Sequence, residues 1–427
     1  MGNSLGKIPW LVLDIILDFL HLEDAKNLMV CDDRLQDMIS ANRPFWERHA
    51  MRLYEIDPAL FMRLKSHHLF DQDALVRLVS AAHSTYLATV GNILAANSED
   101  TEHAMGRKIV TLAIDEEACL LAIHLDGNLV QIHSLLRLGD PPLRSVRLGA
   151  IHHMILHGNI LFYRHTHCPA TYHTDVYNWK IGLEMASLTP GSDDIGAFRL
   201  KFSNRFLIAY DWPNHCSLAY QLDDVGYRLH PIRVPLPAAI RLRDHATRGN
   251  LLLVLLEVDP SRHVYHEIDI LKNQVIRVLF VASPIFLYAP KIAYPYILVT
   301  QANCRSQAHL GLDARARSSF YVYGPRIFIP GSGDLVLEAD PIHSSGGIKG
   351  VSFRGQFVFI ANGNNDHTKI IFVGDPSVPF QPTDYAQHVY RNGPCAPGIV
   401  SFGLSVLFAR GSVLVFRRYF ENGDVFM

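Results

Sequence analysis

The histidine-rich segment YRHTHCPATYHTD is where the side chains of this sequence could bind a metal ion. It contains His165, His167, Cys168, His173 and Asp175. Histidine and cysteine are ligands that zinc prefers at close range. However, the first two histidines share one face of an extended strand, no second cluster completes a recognisable site, and the chain has 23 histidines throughout. We therefore interpret the segment as a surface loop and expect no metal and no cofactor.

The signatures of common catalytic sites are missing or stand in the wrong context. The only G-x-S-x-G match runs from Gly2 to Gly6, with no strand before it to form a nucleophile elbow. There is no H-E-x-x-H zinc motif, and the Gly-rich segment 331–337 lacks the lysine of a phosphate-binding loop. Carboxylates such as Asp223 and Asp224 could catalyse a reaction only if the fold paired them. We therefore predict a protein without catalytic activity of its own.

The composition is that of an ordinary globular protein. The chain has 427 residues, of which 49% are hydrophobic, and a formal net charge of −2 at pH 7. A charge so close to zero gives no electrostatic footprint for nucleic acid or an anionic membrane. The six cysteines are widely scattered, and residues 8–28 have neither the cleavage site of a secretory signal nor an apolar run long enough to span a membrane. We expect a cytoplasmic or nuclear protein with reduced thiols.

Residues 8–50 have the spacing of three or four short helices. Residues 23–24 and 32–33 are acidic pairs that can begin the second and third of these helices. So small a bundle cannot bury all of its own apolar surface, so a partner or the rest of the chain must cover the surplus. In the first helix the apolar residues recur at helical spacing, with two aspartates opposite: they are Trp10, Leu13, Ile16, Leu17 and Leu20.

The order of these residues resembles an F-box. That family has a Leu-Pro start, an amphipathic first helix, an apolar second helix, a Val-Ser-Lys/Arg-like segment and a tryptophan near its end. The resemblance covers residues 8 to about 50, and one difference is that Asp32 and Asp33 stand where the family usually has serine and basic residues. The matching positions are Ile8, Pro9, Leu20, Leu28, Val30, Arg34, Leu35, Ile39, Phe45 and Trp46.

The resemblance implies a binding role, because F-boxes dock on the Skp adaptor of Skp–cullin–F-box ubiquitin ligases and, through it, on cullin. A helix that docks in a groove presents an apolar stripe with few charges at its centre. The alternative is that the stripe packs on residues 51 onward and contacts no partner. Carried over by position, the adaptor-facing residues are Pro9, Leu13, Ile16, Leu17, Leu20, Leu28 and Val30, with Trp46 nearer the core.

Beyond a further helical stretch at 55–85, the chain consists of short apolar runs separated by turn-forming residues. Pairs of strand-like runs recur seven times at intervals of about 40 to 60 residues, which is the spacing of four-stranded propeller blades. In most pairs the first run is nearly all apolar, as expected of a strand buried between neighbouring sheets. The pairs are 119–135, 159–179, 205–222, 250–271, 294–324, 355–374 and 404–420.

This arrangement resembles a WD-repeat propeller, although the Trp-Asp and Gly-His signatures are missing. We predict an α+β multidomain protein with an F-box at 1–50, a helical linker at 51–85 and an all-β, seven-bladed propeller-like domain at 86–427. A β-sandwich with extra strands is the alternative. A sandwich, however, has no reason to keep one regular period over most of the chain.

In a WD-like blade the loop within each predicted pair opens on one face of the disc. Arginine and tryptophan are over-represented among interface hot spots because each combines a large contact area with directed polarity. Clustered arginines can also hold an acidic or phosphorylated peptide through bidentate hydrogen bonds. The candidate target-binding residues in these loops are Arg164, Trp212, Arg305, Arg315, Arg317 and Asn364.

The sequence therefore predicts the substrate receptor of a Skp–cullin ligase, which positions a protein target for ubiquitination by other subunits. The alternative is a scaffold outside the ligase, in which the N-terminal helices pack on the remaining chain. A propeller enzyme would need ionisable residues that converge at the central channel.

Overall fold

The computed structural model has a helical part followed by antiparallel β-sheets. The chain divides into two compact units, Met1–Glu99 with Arg418–Met427, and Asp100–Arg417. The structure describes residues 9–17, 20–57, 62–95, 97–165, 174–188, 201–202, 206–211, 215–223, 226–227, 232–237, 239, 241–259, 262–282, 291–293, 296–302, 317–323, 328–329, 332–333, 337–343, 348–351, 357–361, 367–372, 387–391 and 399–419.

The first unit is built from α-helices, and α3, α4 and α5 begin at side-chain caps. The carboxylate of Asp32 accepts hydrogen bonds from the backbone N–H groups of the first turn of α3, Asn42 caps α4 and Asp71 caps α5 in the same way. Each cap satisfies donors that have no partner within the helix. The helices are α1 (Trp10–Leu17), α2 (Leu22–Cys31), α3 (Asp33–Ala41), α4 (Arg43–Ile56) and α5 (Gln72–Leu94), with a 3-10 segment at Met62–Leu69.

The short helices predicted near the N-terminus are confirmed as α1 to α4. The predicted limit of the F-box at residue 50 falls inside α4, and that of the linker at residue 85 falls inside α5. None of the helices in the described ranges is long and apolar enough to cross a lipid bilayer.

The second unit consists of β-strands. In chain order they are β1 Glu99–Ala104, β2 Ile109–Asp115, β3 Leu120–Leu125, β4 Leu129–Ser134, β5 Arg144–Arg147, β6 Ile151–His157, β7 Ile160–His165, β8 Thr174–Asn178, β9 Leu183–Leu188, β10 Lys201–Phe202, β11 Phe206–Asp211, β12 Cys216–Asp223, β13 Gly226–Tyr227, β14 Ile232–Pro235, β15 Arg241–Arg248, β16 Leu251–Asp259, β17 Arg262–Asp269, β18 Gln274–Ala282, β19 Lys291–Ala293, β20 Tyr296–Ala302, β21 Arg317–Tyr323, β22 Phe328–Ile329, β23 Ser332–Gly333, β24 Leu337–His343, β25 Ile348–Val351, β26 Phe357–Ala361, β27 His367–Phe372, β28 Gln387–Arg391, β29 Ile399–Phe402, β30 Ser405–Arg410 and β31 Val413–Arg418.

These strands form seven sheets of four or five strands and one short hairpin within the described residues. Sheet 1 is β2–β5, sheet 2 is β6–β9, sheet 3 is β10–β14 and sheet 4 is β15–β18. Sheet 5 is β19, β20, β21 and β24, with the hairpin β22–β23 inserted, and sheet 6 is β25–β28. Sheet 7 joins the two ends of the unit, because its strand order is β1, β31, β30, β29.

All seven predicted strand pairs are confirmed as antiparallel pairs. They are β3 with β4, β7 with β8, β11 with β12, β16 with β17, β20 with β21, β26 with β27, and β30 with β31. The first member of each pair is the second strand of its sheet, where sheet 7 is counted from β29. In β3, β16 and β30 almost every residue is buried, because both faces of the sheet are covered.

At five junctions between neighbouring sheets, the described first strands lie side by side. Strand β29 lies beside β2 and β2 beside β6, while β10 lies beside β15, β15 beside β19 and β19 beside β25. Polar contacts connect the same elements, since Ser401 Oγ donates to Glu116 Oε1 (3.4 Å) and Gly158 N donates to Asp115 Oδ2 (2.6 Å). Four-stranded antiparallel sheets packed in chain order through their first strands give the second unit a propeller-like arrangement.

Candidate functional site

Three polar contacts fix how α1 is rotated in the helical unit. The carbonyl oxygen of Pro9 accepts from the N–H groups of Val12 and Leu13, both at 3.0 Å, and begins the helix. Asn42 Nδ2 donates to Asp14 Oδ1 (2.8 Å), and Arg48 Nη2 donates to the Leu17 carbonyl (3.0 Å) at the end of the helix. Because α4 and its cap supply both side-chain donors, they decide which side of α1 faces inward.

The core of the helical unit is built around the aromatic pair of α4. Trp46 is fully buried, its Nε1 donates to the Ile39 carbonyl (2.9 Å), and its ring meets that of Phe45 edge to face at 5.3 Å. A buried indole N–H needs such a partner, because an unpaired polar group in a core is costly. Trp46 therefore lies in the core, as the sequence predicted.

The structure places the predicted adaptor-facing residues on two different sides. Pro9 and Val30 are exposed, and Ile16, Leu20 and Leu28 are partly exposed. Leu13 and Leu17 are each only 1% exposed. The prediction that these two leucines face an adaptor is therefore wrong in this structure.

The exposed apolar side of α1 consists of residues that the sequence analysis did not select. Leu11 is 72% exposed and Ile15 56%, and Val12 lies between them on the outward side. The composition of the helix indicates that more than one side needs to be covered, because every residue of the helix except Asp14 is apolar. A helix that is apolar on all sides requires cover on all sides, and helical period alone cannot tell which side the chain itself covers.

The acidic departure from the family pattern has a structural role. Asp32 Oδ1 accepts from Arg34 N (2.9 Å) and Leu35 N (3.2 Å), so this carboxylate is the N-terminal cap of α3. A cap of this kind stabilises a helix by about 1 kcal/mol. Asp33 follows in the first turn, where a negative charge interacts favourably with the helix dipole.

Polar groups connect the first four helices to α5 and to the segment before it. Arg43 donates to the carbonyl oxygens of Phe70 (3.0 Å) and His68 (3.3 Å) and pairs with Glu47 at 2.7 Å. Gln72 Nε2 donates to the Ser40 carbonyl. The exposed side of α1 is therefore displayed by a bundle that is held together by many specific contacts.

Burial changes the titration of a histidine in this bundle. His49 lies against the Phe45 ring at 4.5 Å. Burial, followed by the charges of Arg52 and Arg48, lowers the pKa of His49 to about 3. The imidazole is therefore neutral in the folded protein at physiological pH.

The target-binding candidates fall largely outside the described residues, where Trp212, Arg305, Arg315 and Asn364 all lie. Arg164 is partly buried near the end of β7, and its backbone pairs with His153. Arg317 begins β21 in sheet 5, opposite His343. These two arginines lie on different sheets, and nothing in the described ranges brings them together.

The metal-binding candidates also lie mostly outside the described residues. His167, Cys168 and His173 belong to that set, and for His165 only the backbone of β7 is described. Asp175 is partly buried in β8. Within the described ranges there is no group of three or more His, Cys, Asp or Glu side chains placed to hold a metal ion.

Sheet 4 contains a group of buried charged side chains. Arg243 Nε lies 2.6 Å from Glu257 Oε2, and Glu257 is opposite His263 in the neighbouring strand. Burial, followed by the charge of Arg243, lowers the pKa of His263 to about 4. Tyr265 Oη also donates to Glu267 (3.1 Å) within the same sheet. An ion pair and a hydrogen bond between strands of one sheet are typical of a structural network.

Comparison with known proteins gives no family. No protein-family model matches the chain, and no curated protein matches it. Among solved structures, BamB from Moraxella catarrhalis shares 9% identity over 73% of this chain and 85% of its own, with a TM-score of 0.41. Hydrazine synthase from Kuenenia stuttgartiensis shares 13% identity over 74% of this chain and 96% of its own, with a TM-score of 0.47. The WD40 domain of SCAP from fission yeast shares 8% identity over 77% of this chain and 99% of its own, with a TM-score of 0.41. Because each TM-score is below 0.5, the description of the fold rests on the strand pairing alone.

Proposed function

We propose that this protein is the substrate receptor of a Skp–cullin–F-box ubiquitin ligase. The helical unit binds the Skp adaptor through the outward side of α1, and the sheet unit binds the protein that is to be ubiquitinated. The chain forms and breaks no bonds itself. It brings a lysine of the target close to the ubiquitin that other subunits carry, and this proximity accelerates the transfer.

The observation that carries the proposal is the exposed apolar stripe of α1, defined as Leu11, Val12 and Ile15. An isolated exposed leucine is ordinary, but three apolar neighbours on one short helix form the kind of stripe that docks in a groove. Burying a side chain of this size fully contributes about 1.5–3 kcal/mol. The opposite side of the helix is already anchored by Leu13 and Leu17, so the stripe is presented on a fixed support.

We also propose that the seven sheets close into a seven-bladed propeller. Sheet 7 combines the first strand of the unit with its last three, which is how a ring of blades is closed by its own termini. The bidentate pair of Arg417 with Asp100 (2.8 and 2.9 Å) holds β31 to β1, and Arg410 at the end of β30 pairs with Glu102 of β1 (3.0 Å). A rigid disc of this kind offers turns from several blades to one target.

A scaffold outside the ubiquitin system is the second candidate function. The burial of Leu13 and Leu17 favours it, because two of the seven residues that the family resemblance assigned to an adaptor are already covered within the chain. In that case the α1 stripe would contact another protein or a second copy of this chain.

The test is co-purification of the full chain with purified Skp adaptor. The wild type should retain the adaptor, and Leu11→Asp combined with Ile15→Asp should lose it, because two carboxylates would have to be buried in the interface. The matched control is Leu87→Asp combined with Leu94→Asp, two exposed leucines of α5, and it should bind like the wild type.

Thermal unfolding of each variant shows whether it is folded. A folded wild type that does not retain the adaptor would contradict the ligase proposal and favour the scaffold. Loss of binding in the α5 control as well would contradict the assignment to the α1 stripe.

A further inference from the structure

Two neighbouring turns of the sheet unit expose an apolar surface. Both connect the third strand of a sheet to the fourth, one in sheet 1 and the other in sheet 2. Their apolar side chains are between 54% and 68% exposed, which is far more than the buried strands beside them. We call this surface the turn patch, and its apolar members are Leu136, Leu143, Ile181 and Leu183.

A close contact places the two turns next to each other. The Arg144 guanidinium, at the start of β5, lies against the backbone of Gly182, so that a Cβ at Gly182 would meet Arg144 Cζ at 3.4 Å and Tyr177 Oη at 3.7 Å. Gly182 also has a φ of +77°, which side chains rarely tolerate. The glycine therefore allows both the turn and the approach of the arginine from the neighbouring sheet.

Backbone hydrogen bonds hold both turns in shape. In the sheet 2 turn, Gly182 N donates to the Asn178 carbonyl (2.8 Å) and Ile181 N to Asn178 Oδ1 (3.2 Å). In the sheet 1 turn, Leu143 N donates to the Ile132 carbonyl (2.7 Å). A surface that is ordered before binding loses less conformational entropy when a partner arrives.

Three cationic side chains accompany the apolar ones: Arg137, Arg144 and Lys180. In the described part of the chain none of the three has an ion pair or a side-chain hydrogen bond, whereas Arg410 and Arg417 in the same unit are paired with carboxylates. Two exposed carboxylates, Asp140 and Glu184, lie along the same segments and leave a small positive excess. The charges are thus mixed and discrete, and no broad positive field covers the surface.

We infer that the turn patch binds a peptide segment of a partner protein in which apolar residues are flanked by Asp or Glu. The apolar side chains of the peptide would cover the exposed leucines and isoleucine, and its carboxylates would pair with the cations. The mixed charge favours a peptide over an anionic membrane, because Asp140 and Glu184 would repel a uniformly negative surface. This inference rests on the proposed target-binding role of the sheet unit.

The test selects peptides from a random 12-residue display library on the full-length protein. The enriched sequences should combine Leu, Ile, Phe or Trp with neighbouring Asp or Glu. An enriched peptide is then synthesised with a fluorescent label, and its affinity is measured by anisotropy. Leu143→Ser combined with Ile181→Ser should weaken binding about tenfold or more. Arg137→Glu combined with Lys180→Glu should weaken binding and reduce its dependence on salt.

The matched control is Leu271→Ser combined with Lys272→Glu, in the corresponding turn of sheet 4. Leu271 is as exposed as Leu136 and Leu143 and also stands beside a lysine. This control should bind the peptide like the wild type. Surface changes of this kind leave the folded state nearly as stable as before, which thermal unfolding checks.

Three results would overturn the inference. The first is that peptides are enriched no more strongly on the wild type than on the Leu143→Ser and Ile181→Ser variant. The second is that the protein binds the selected peptide equally well when Asn and Gln replace its Asp and Glu. The third is that the patch binds phosphatidylserine vesicles but no peptide. Adaptor co-purification is measured on the same variants. A wild type that binds the peptide but not the adaptor would contradict the ligase proposal and leave the turn patch standing.

Discussion

The two units of this protein bury their apolar residues by different rules. In the helical unit a short helix that is apolar on all sides is anchored by one side, with Leu13 and Leu17 inside and Leu11 and Ile15 outside. In the sheet unit the second strand of a sheet is covered on both sides, so its apolar residues all lie in the core. An apolar run therefore marks the core in the sheets, whereas in α1 it marks both the core and a surface for a partner.

The difference extends to the polar contacts. The helical unit relies on caps and on side chains that bind nearby helices. Asn42 donates to the Asp14 carboxylate 28 residues away, and Arg48 donates to the Leu17 carbonyl 31 residues away. The sheet unit joins strands separated by more than 300 residues through the ion pairs of Arg417 and Arg410. We therefore expect core substitutions to dominate the stability of the first unit and smaller effects from the pairs that join the ends of the second.

The largest effect should come from the aromatic core of the helical unit. Trp46→Ala removes a fully buried ring together with its hydrogen bond to the Ile39 carbonyl, which should cost about 3–5 kcal/mol. Trp10→Ala is the matched control, because this tryptophan is half exposed on α1. Chemical denaturation of the full chain, followed by helical circular dichroism, measures both. Similar losses of stability in the two variants would contradict the assignment of Trp46 to the core and of Trp10 to the surface.

The two sides of α1 should differ nearly as much. Leu13→Ala should cost about 2–5 kcal/mol because it opens a cavity in the core. Leu11→Ala should change the free energy of unfolding by about 0.5 kcal/mol or less, because its side chain is already in water. The same denaturation experiment compares the two variants. A larger loss of stability for Leu11→Ala than for Leu13→Ala would contradict the orientation of α1 described above.

Acid should weaken the helical unit through His49. Its pKa is lowered to about 3 in the folded state, against 6.5 in the unfolded chain, so the unfolded state binds the proton first. Stability is therefore full above pH 6.5 and falls as the pH drops towards 3, by about 2 kcal/mol at pH 5. His49→Gln should remove this part of the pH dependence between pH 7 and 5. An unchanged slope in that variant would show that the histidine is accessible.

The smallest effect should be at the junction of the sheet unit. Arg417→Gln removes a bidentate, half-buried ion pair and a contact with the Phe408 ring at 5.6 Å, and should cost about 1 kcal/mol. Arg410→Gln is the control, because its pair with Glu102 is exposed and should contribute less than about 0.5 kcal/mol. Thermal unfolding at low and high salt measures both, and equal losses would contradict the role of the bidentate geometry.

Much of the fold could be predicted from the sequence where the signal is local. The apolar runs of β3, β16 and β30 identify strands with two covered faces, and the acidic pair at 32–33 predicts the start of α3. Strand β1 has no such signal, because its sequence EDTEHA is polar and its partner β31 lies at the other end of the chain. Only the pairing with Arg410 and Arg417 explains its acidic residues.

The candidate site was predicted correctly as a helix and incorrectly in orientation. The regular spacing of Leu13 and Leu17 suggested a partner-binding stripe, but regular spacing is also what the interior of a helical bundle requires. The residues on the outward side are spaced just as regularly, because Leu11 and Ile15 are four residues apart, as Leu13 and Leu17 are. Their orientation depends on Asn42 and Arg48, which bind α1 from another helix and could not be assigned from the sequence of α1 alone.

The central claim is that the outward side of α1 binds the Skp adaptor, and amide hydrogen exchange of the full chain with and without purified adaptor tests it most directly. We predict that exchange slows in α1, and that the β-strands exchange as before. The added protection should disappear in the Leu11→Asp and Ile15→Asp variant. Unchanged exchange in α1 at saturating adaptor, or new protection confined to the sheets, would contradict the claim.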